Sequence, residues 1–443
     1  MAGTSPLFPP IRLPHLADVA IPGFVPVRLR QPDVPGLADP AAAVTSALEA
    51  GRARFSALPA GAEVAVAVGS RGIARIDTIT RATVDWLRGQ GFVPFIVPGM
   101  GSHGGGTAEG QIRVLAALGV SAERMGCEIR SSMETVDYGT IDGGIACHFD
   151  AHAARAAGVV VINRVKAHTS FPRPVESGLT KMLAVGLGKA EGAGQVHLIG
   201  PRGFVEVLPK LAARIVERAP LTAGLAILEN ARHQVAEVEL VAPQDFHAAD
   251  ARLLKRAKAA MARLPFAQLD GLIVMELGKD ISGAGIDPAI SGRTDIRGVE
   301  NPAEPFIHKV AVLRLSAATG GNGIGVGMAD YLPMETANRL DLRAMYMNAV
   351  TATILEKAFI PVVLPDEADV IRALVATCWA TEPERLCLIR SSADLGQIAV
   401  TPPLLPELEA RDAILEAGAP RPLRFDPAGR LRDFWAEPEK GGQ

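Results

Sequence analysis

Glu63-Val64-Ala65-Val66-Ala67-Val68-Gly69-Ser70-Arg71-Gly72-Ile73 is an apolar run that stops at a glycine turn, and it decides how its surroundings are read. Five apolar residues after Glu63, with no polar interruption, predict a strand buried on both faces. Apolar residues at helical spacing follow over Ile76–Arg88. A second buried strand is predicted over Phe92–Val97 and a second helix over Ala108–Leu118. Strand, glycine-containing loop, helix, strand is the pattern of a parallel sheet with crossover helices. It recurs further along, with a strand at Gly158–Ile162, a helix around Ser177–Val185, a helix over Val205–Arg218 and a strand at Gly224–Glu229.

The wider chain fits an α/β protein with two domains, mostly parallel sheets and flanking helices. A charged helix, Ala249–Leu264, leads to a new strand at Gly271–Met275, and glycine-rich loops then become frequent. The expected boundary lies near 265. An N-terminal domain spans 1–265 and a C-terminal α/β domain spans 266–419. The polar, Pro/Gly-rich end, 420–443, either wraps back onto the first domain or stays mobile. The active site is expected in the cleft between the domains.

Composition narrows the function. The 443 residues carry 45 basic and 48 acidic side chains, a net charge of −3, and 48% are hydrophobic. No basic excess points to nucleic acid, and aromatics at 5% offer few stacking platforms. No apolar run approaches the roughly 18 residues that span a bilayer. The first ten residues lack a charged n-region followed by an apolar stretch, so the expected compartment is the cytoplasm. Cys127, Cys147, Cys378 and Cys387 lie far apart and predict buried thiols rather than a zinc or iron–sulfur ladder.

Four segments carry ionisable residues at strand ends or in glycine loops, where open α/β sheets bind ligands. Gly69-Ser70-Arg71-Gly72 places a guanidinium fork above the first strand, suited to a carboxylate or phosphate. Gly99-Met100-Gly101-Ser102-His103-Gly104-Gly105-Gly106-Thr107 puts one histidine among five glycines ahead of a helix, with Thr107 as its N-cap. Its spacing is neither a Walker A nor a dinucleotide fingerprint. Asn163-Arg164-Val165-Lys166-Ala167-His168 packs three basic residues at a strand end, which either face solvent or meet an anion. Glu176-Ser177-Gly178-Leu179-Thr180-Lys181 opens a small, apolar helix in which desolvation makes a lysine nucleophilic, and His197 follows. Two histidines flanking a substrate carbon can serve as acid and base on opposite faces, and a third can ligate a transition metal.

In order and spacing, Arg71, His103, His168, Lys181 and His197 resemble the nickel-dependent lactate racemases and their wider superfamily of 2-hydroxyacid racemases and epimerases. The similarity covers about 60–400 and is strongest over 64–200. The blocks Gly69–Ile73, Gly101–Gly105 and Glu176–Met182 look like an uncharacterised branch. The resemblance implies a racemase or epimerase of an α-hydroxy acid that works by proton-coupled hydride transfer. It implies a nickel pincer nucleotide tethered to Lys181, with Ser177 and Gly178 beside it and His197 on the metal. By the same match His103 and His168 are the alternating base and acid, and Arg71 grips the substrate carboxylate. The implied partners are a small 2-hydroxy acid and the proteins that build the cofactor.

The chain departs from that family in two places. An Asp-x-Thr-Arg-Pro pattern becomes Val68-Gly69-Ser70-Arg71-Gly72, and a tyrosine–glutamine plus lysine signature of the second domain is not evident. Lys279 is the candidate for the missing lysine, and with Asp287 and Arg293 it favours a substrate larger or more polar than lactate. Two other classes stay open: a lyase or dehydratase acting on a carboxylate with another metal or none, and a non-catalytic anion-binding protein.

Overall fold

Valine and isoleucine runs this short and this apolar form strands only where both faces are covered. The computed structural model describes residues 7–436 except 71, 168–172, 201, 295 and 380–383, and at 197, 198 and 204 the backbone alone. Its strands, in chain order, are β1 (Val25–Leu29), β2 (Glu63–Val68), β3 (Val93–Pro98), β4 (Thr135–Ile141), β5 (Ile145–Asp150), β6 (Gly158–Arg164), β7 (Leu221–Glu229) and β8 (Val235–Val241). They continue with β9 (Gln268–Leu277), β10 (Phe306–Leu315), β11 (Tyr331–Pro333), β12 (Val362–Leu364), β13 (Leu386–Ser391), β14 (Asp394–Val400) and β15 (Ile414–Ala417).

The described chain divides into two units, one of residues 32–261 and one of 7–31 with 262–436. In the first unit a five-stranded sheet runs β3-β2-β6-β7-β8. β2, β3, β6 and β7 are parallel, and β8 pairs antiparallel with β7. Helices Ile76–Gly89 and Ala108–Ala117 are the crossovers around β3. One face of the sheet, with Val64, Val66, Val68, Ile96, Val160, Ile162, Leu225 and Ile227, packs with Ile79, Leu87 and Leu115 of those helices. The hairpin β4–β5 and strand β8 add to this unit beyond the expected parallel core.

The second unit holds an eight-stranded sheet, order β12-β11-β10-β9-β13-β14-β1-β15. Strands β9 to β13 pair in parallel, whereas β14, β1 and β15 pair antiparallel. Leu272, Val274, Val310 and Val312 face one core, and the alternate residues Ile273, Met275, Ala311 and Leu313 face another. That period of two with both faces buried explains the unbroken apolar runs.

The unit boundaries differ from the sequence reading at the two ends of the chain. Residues 7–31 go with the C-terminal half because β1 is inserted between β14 and β15. The tail also stays there: Phe24 and Arg421 exchange backbone hydrogen bonds, and Leu431 and Phe434 are buried in that core. Pairing over some 390 residues of separation leaves no local signature. Cys147, Cys378 and Cys387 are buried, Cys127 is half-buried, and burial raises all four thiols, that of Cys147 to about 11. Among the described residues no helix is long and apolar enough to cross a membrane.

Candidate functional site

In the five-stranded sheet β3 and β6 lie on either side of β2, so the crossovers leave β2 in opposite directions. In open sheets of this kind ligands bind at such a reversal of strand order, at the carboxyl ends of the strands. Three of the four segments singled out by sequence begin there, directly after β2, β3 and within the last residues of β6.

The loop after β3 is held close to the Lys181 segment. Gly99 N donates to Val68 O at 2.8 Å and Gly101 N donates to Gly186 O at 2.9 Å. A Cβ on Gly186 would lie 2.8 Å from the backbone oxygen of Gly99, so glycine at 186 lets the Lys181 segment sit against the loop. Thr107 caps the next helix by accepting from Gly110 N at 3.1 Å, as its position predicted. His103 is exposed, and its Nδ1 lies 2.5 Å from Ser70 Oγ of the loop after β2. A serine hydroxyl can donate or accept, so it orients the ring in either tautomer without adding a charge.

β6 ends in Asn163 and Arg164. Asn163 Nδ2 donates to Gly178 O at 2.6 Å. The Arg164 guanidinium, 13% exposed, pairs with Glu229 at the end of β7, whose other oxygen accepts from Ala74 N at 2.7 Å. Nε of Arg164 is buried and has no partner among the described residues. Ser177 Oγ accepts from Lys166 N at 2.7 Å and donates to Lys166 O at 2.6 Å, clamping the loop after β6 to the start of the next helix. Gly178 adopts φ +104°, and a Cβ there would stand 2.2 Å from Asp250 Oδ1. Ser177 and Gly178, expected beside a cofactor, therefore shape the backbone that presents Lys181.

Lys181 is half-buried and ends the single helical turn Leu179–Lys181, which passes straight into the π-helical stretch Met182–Gly186. Such π-bulges recur at functional sites. Asp250, from helix Phe246–Ala260, caps this turn: its carboxylate accepts from Leu179 N at 3.0 Å and Thr180 N at 2.7 Å. Burial pushes its carboxyl up to about 6, and the two amides and Thr180 hold it from rising further. His197 lies on helix Lys189–Leu198, with only its backbone described. Arg71 and His168 lie outside the described residues.

Lys279 belongs to the other unit, where its amine is hydrogen-bonded to Asn348 Oδ1 and its amide to Thr319 Oγ1. Asp287 caps the turn Pro288–Ser291 through Ala289 N at 2.9 Å. The Arg293 guanidinium donates to Asp330 Oδ2 at 2.7 Å, His308 O at 2.8 Å and Met328 O at 3.0 Å. Asp287 and Arg293 thus bond to the framework of their own unit.

Sequence reasoning passed over Ser70, Gln111, Asp250 and Lys189. Asp250 had a readable signal, a carboxylate on the buried stripe of Phe246, Ala249, Leu253, Leu254 and Ala257. Lys189 had none, because its burial depends on three separate elements. Among the described residues no group of three or more His, Cys, Asp or Glu could hold a metal.

No protein-family model matches this chain, and no curated protein does. Among solved structures it is similar to the lactate racemase apoprotein of Thermoanaerobacterium thermosaccharolyticum, at 12% identity and a TM-score of 0.48, over 84% of this chain and 98% of that one. It is also similar to a structural-genomics target from Thermotoga maritima, at 12% identity and a TM-score of 0.46, over 72% of this chain and 83% of that one. Likeness at this level says nothing of residues or activity.

Proposed function

We propose that this chain is an isomerase, a racemase or epimerase of an α-hydroxy acid, with His103 and His168 as its acid–base pair. The observation that carries the reading is the His103 imidazole, oriented by Ser70 at the sheet's carboxyl end beside the segment that bears Lys181. Inversion through a planar 2-keto acid needs the hydroxyl proton removed as the α-hydride leaves and one returned as hydride comes back to the other face, and an imidazole near neutrality can take and give that proton. With Nδ1 engaged by serine, the exchange at His103 runs through Nε2. His168 serves the opposite face in this reading, and Arg71 takes the carboxylate of the substrate.

The tethered nickel pincer nucleotide belongs to the same proposal. Two features favour an anionic, covalently held group: the buried, unpartnered Nε of Arg164, and a half-buried lysine on a turn whose amides are already capped. Lys181 would hold the nucleotide and His197 its metal, with Ser177 and Gly178 fixing the turn. The chemistry such a group would supply there is reversible hydride acceptance. The chain's part is to orient the substrate, exclude water and move the hydroxyl proton.

The test is intact-mass and metal analysis of protein made together with the cofactor pathway, followed by α-hydrogen isotope exchange on a panel of hydroxy acids. An added mass mapping to Lys181, with nickel and exchange, is the expected result. A loaded preparation with unmodified Lys181, or no exchange on any hydroxy acid, overturns the reading.

A further inference from the structure

Lys189 combines two uncommon features: its side chain is fully buried, and its backbone adopts φ +55°. Its ammonium is ion-paired with Asp150 Oδ2 at 2.7 Å, and Asp150 is itself fully buried. Pro98 O and Gln111 Oε1 accept two of its hydrogens at 2.8 and 3.4 Å. Gln111, also fully buried, turns its amide nitrogen the other way, donating to Gly101 O at 2.8 Å and to His103 O at 3.4 Å. The result is one chain of contacts from Asp150 through Lys189 and Gln111 to the backbone of the glycine loop.

We propose that Gln111 and Lys189, backed by Asp150, are positioning residues that set the His103 imidazole against Ser70. The inference rests on the reading of His103 as an acid–base group. Two contacts at the loop's backbone, Gly101 O and His103 O, leave the five-glycine loop little freedom to carry the ring away from Ser70. Lys189 is the first residue of the helix that bears His197, so the same ammonium ties that helix to the end of β3 at Pro98. A buried pair is seldom retained for stability alone, since an apolar pair of similar volume serves as well or better. Here the ammonium also orients Gln111, which an apolar residue cannot do. A strained backbone at Lys189 is held in place by these two hydrogen bonds and the ion pair.

The experiment is nitrogen NMR of the imidazoles in 15N-histidine-labelled protein at one pH, with His103 assigned by loss of its signal in His103→Asn. Gln111→Met removes both loop contacts and leaves the Lys189–Asp150 pair intact. Lys189→Met alone strands a buried carboxylate and risks unfolding, so it is paired with Asp150→Leu. The expected result is that Gln111→Met and the Lys189→Met/Asp150→Leu double variant move the His103 Nδ1 shift in the direction seen for Ser70→Ala. His233 and His247 should stay in place. A His103 signal that overlays wild type in Gln111→Met while Ser70→Ala moves it overturns the positioning role. A signal unmoved by Ser70→Ala overturns the bond on which it rests. None of these readouts needs turnover, so a failure of the racemase reading appears separately as absent isotope exchange. Where wild type does exchange, Gln111→Met is expected to lower kcat by 10-fold or more with KM within twofold.

Discussion

Replacing Asp250 with asparagine tests how the Lys181 turn is held. The folded carboxyl titrates at about 6 against the ordinary aspartate value of 3.8, chiefly because burial opposes its charge. Between those values the folded chain holds a proton that the unfolded chain has released. The group's contribution is therefore fully present below pH 4 and is lost as pH rises through 6. At 1.36 kcal/mol per unit, the loss by pH 7 is about 3 kcal/mol. Asparagine keeps one acceptor oxygen for Leu179 N or Thr180 N and carries no charge to desolvate, so its own contribution is flat. One amide left without its acceptor costs roughly 1 kcal/mol at every pH. The stability of Asp250→Asn relative to wild type should thus climb by about 3 kcal/mol between pH 4 and 7. Urea unfolding in a Trp379→Phe/Trp435→Phe background, where Trp86 reports on residues 32–261, measures it. A difference that stays level across that range, or falls as pH rises, refutes the argument.

Other outcomes follow from the same contacts. Gly178→Ala should destabilise by about 2–3 kcal/mol in the same assay, because a methyl group at φ +104° meets Asp250. Lys189→Met alone should cost about 3–5 kcal/mol, and adding Asp150→Leu should recover most of it; no recovery would mean that the pair's charge is not what matters. His103→Ala should lower α-hydrogen exchange by roughly 10²–10⁴-fold with metal content retained, and His168→Ala should do the same; unchanged exchange in either removes that residue from the acid–base pair. Lys181→Ala should abolish any covalent mass gain, and a gain that persists places the tether elsewhere.

Much of the framework was readable before any coordinates. Strand β2 matches its predicted range residue for residue, helix Ile76–Gly89 runs one residue past its own, and strand β3 is shifted from its own by one residue. Buried parallel strands and amphipathic crossover helices write their periods directly into local sequence. The helix expected over Ser177–Val185 is instead one α-turn followed by a π-stretch, and Met182 and Gly186 of that stretch lie close against Gly99. The candidate residues were legible as glycine loops and basic residues at strand ends. The partners that hold them were not.

By itself the sequence determined the alternation of strands and helices, the carboxyl-end placement of His103, and the absence of a charge bias toward nucleic acid. Those properties depend on residues within a few positions of one another. Only the tertiary structure decided that the first strand completes the sheet of the last domain, that Ser70 takes the His103 imidazole, and that Asp150 neutralises Lys189. Each of these joins residues between 33 and several hundred positions apart. Burial and charge pairing are set by what the packed chain brings alongside, and no local pattern encodes that.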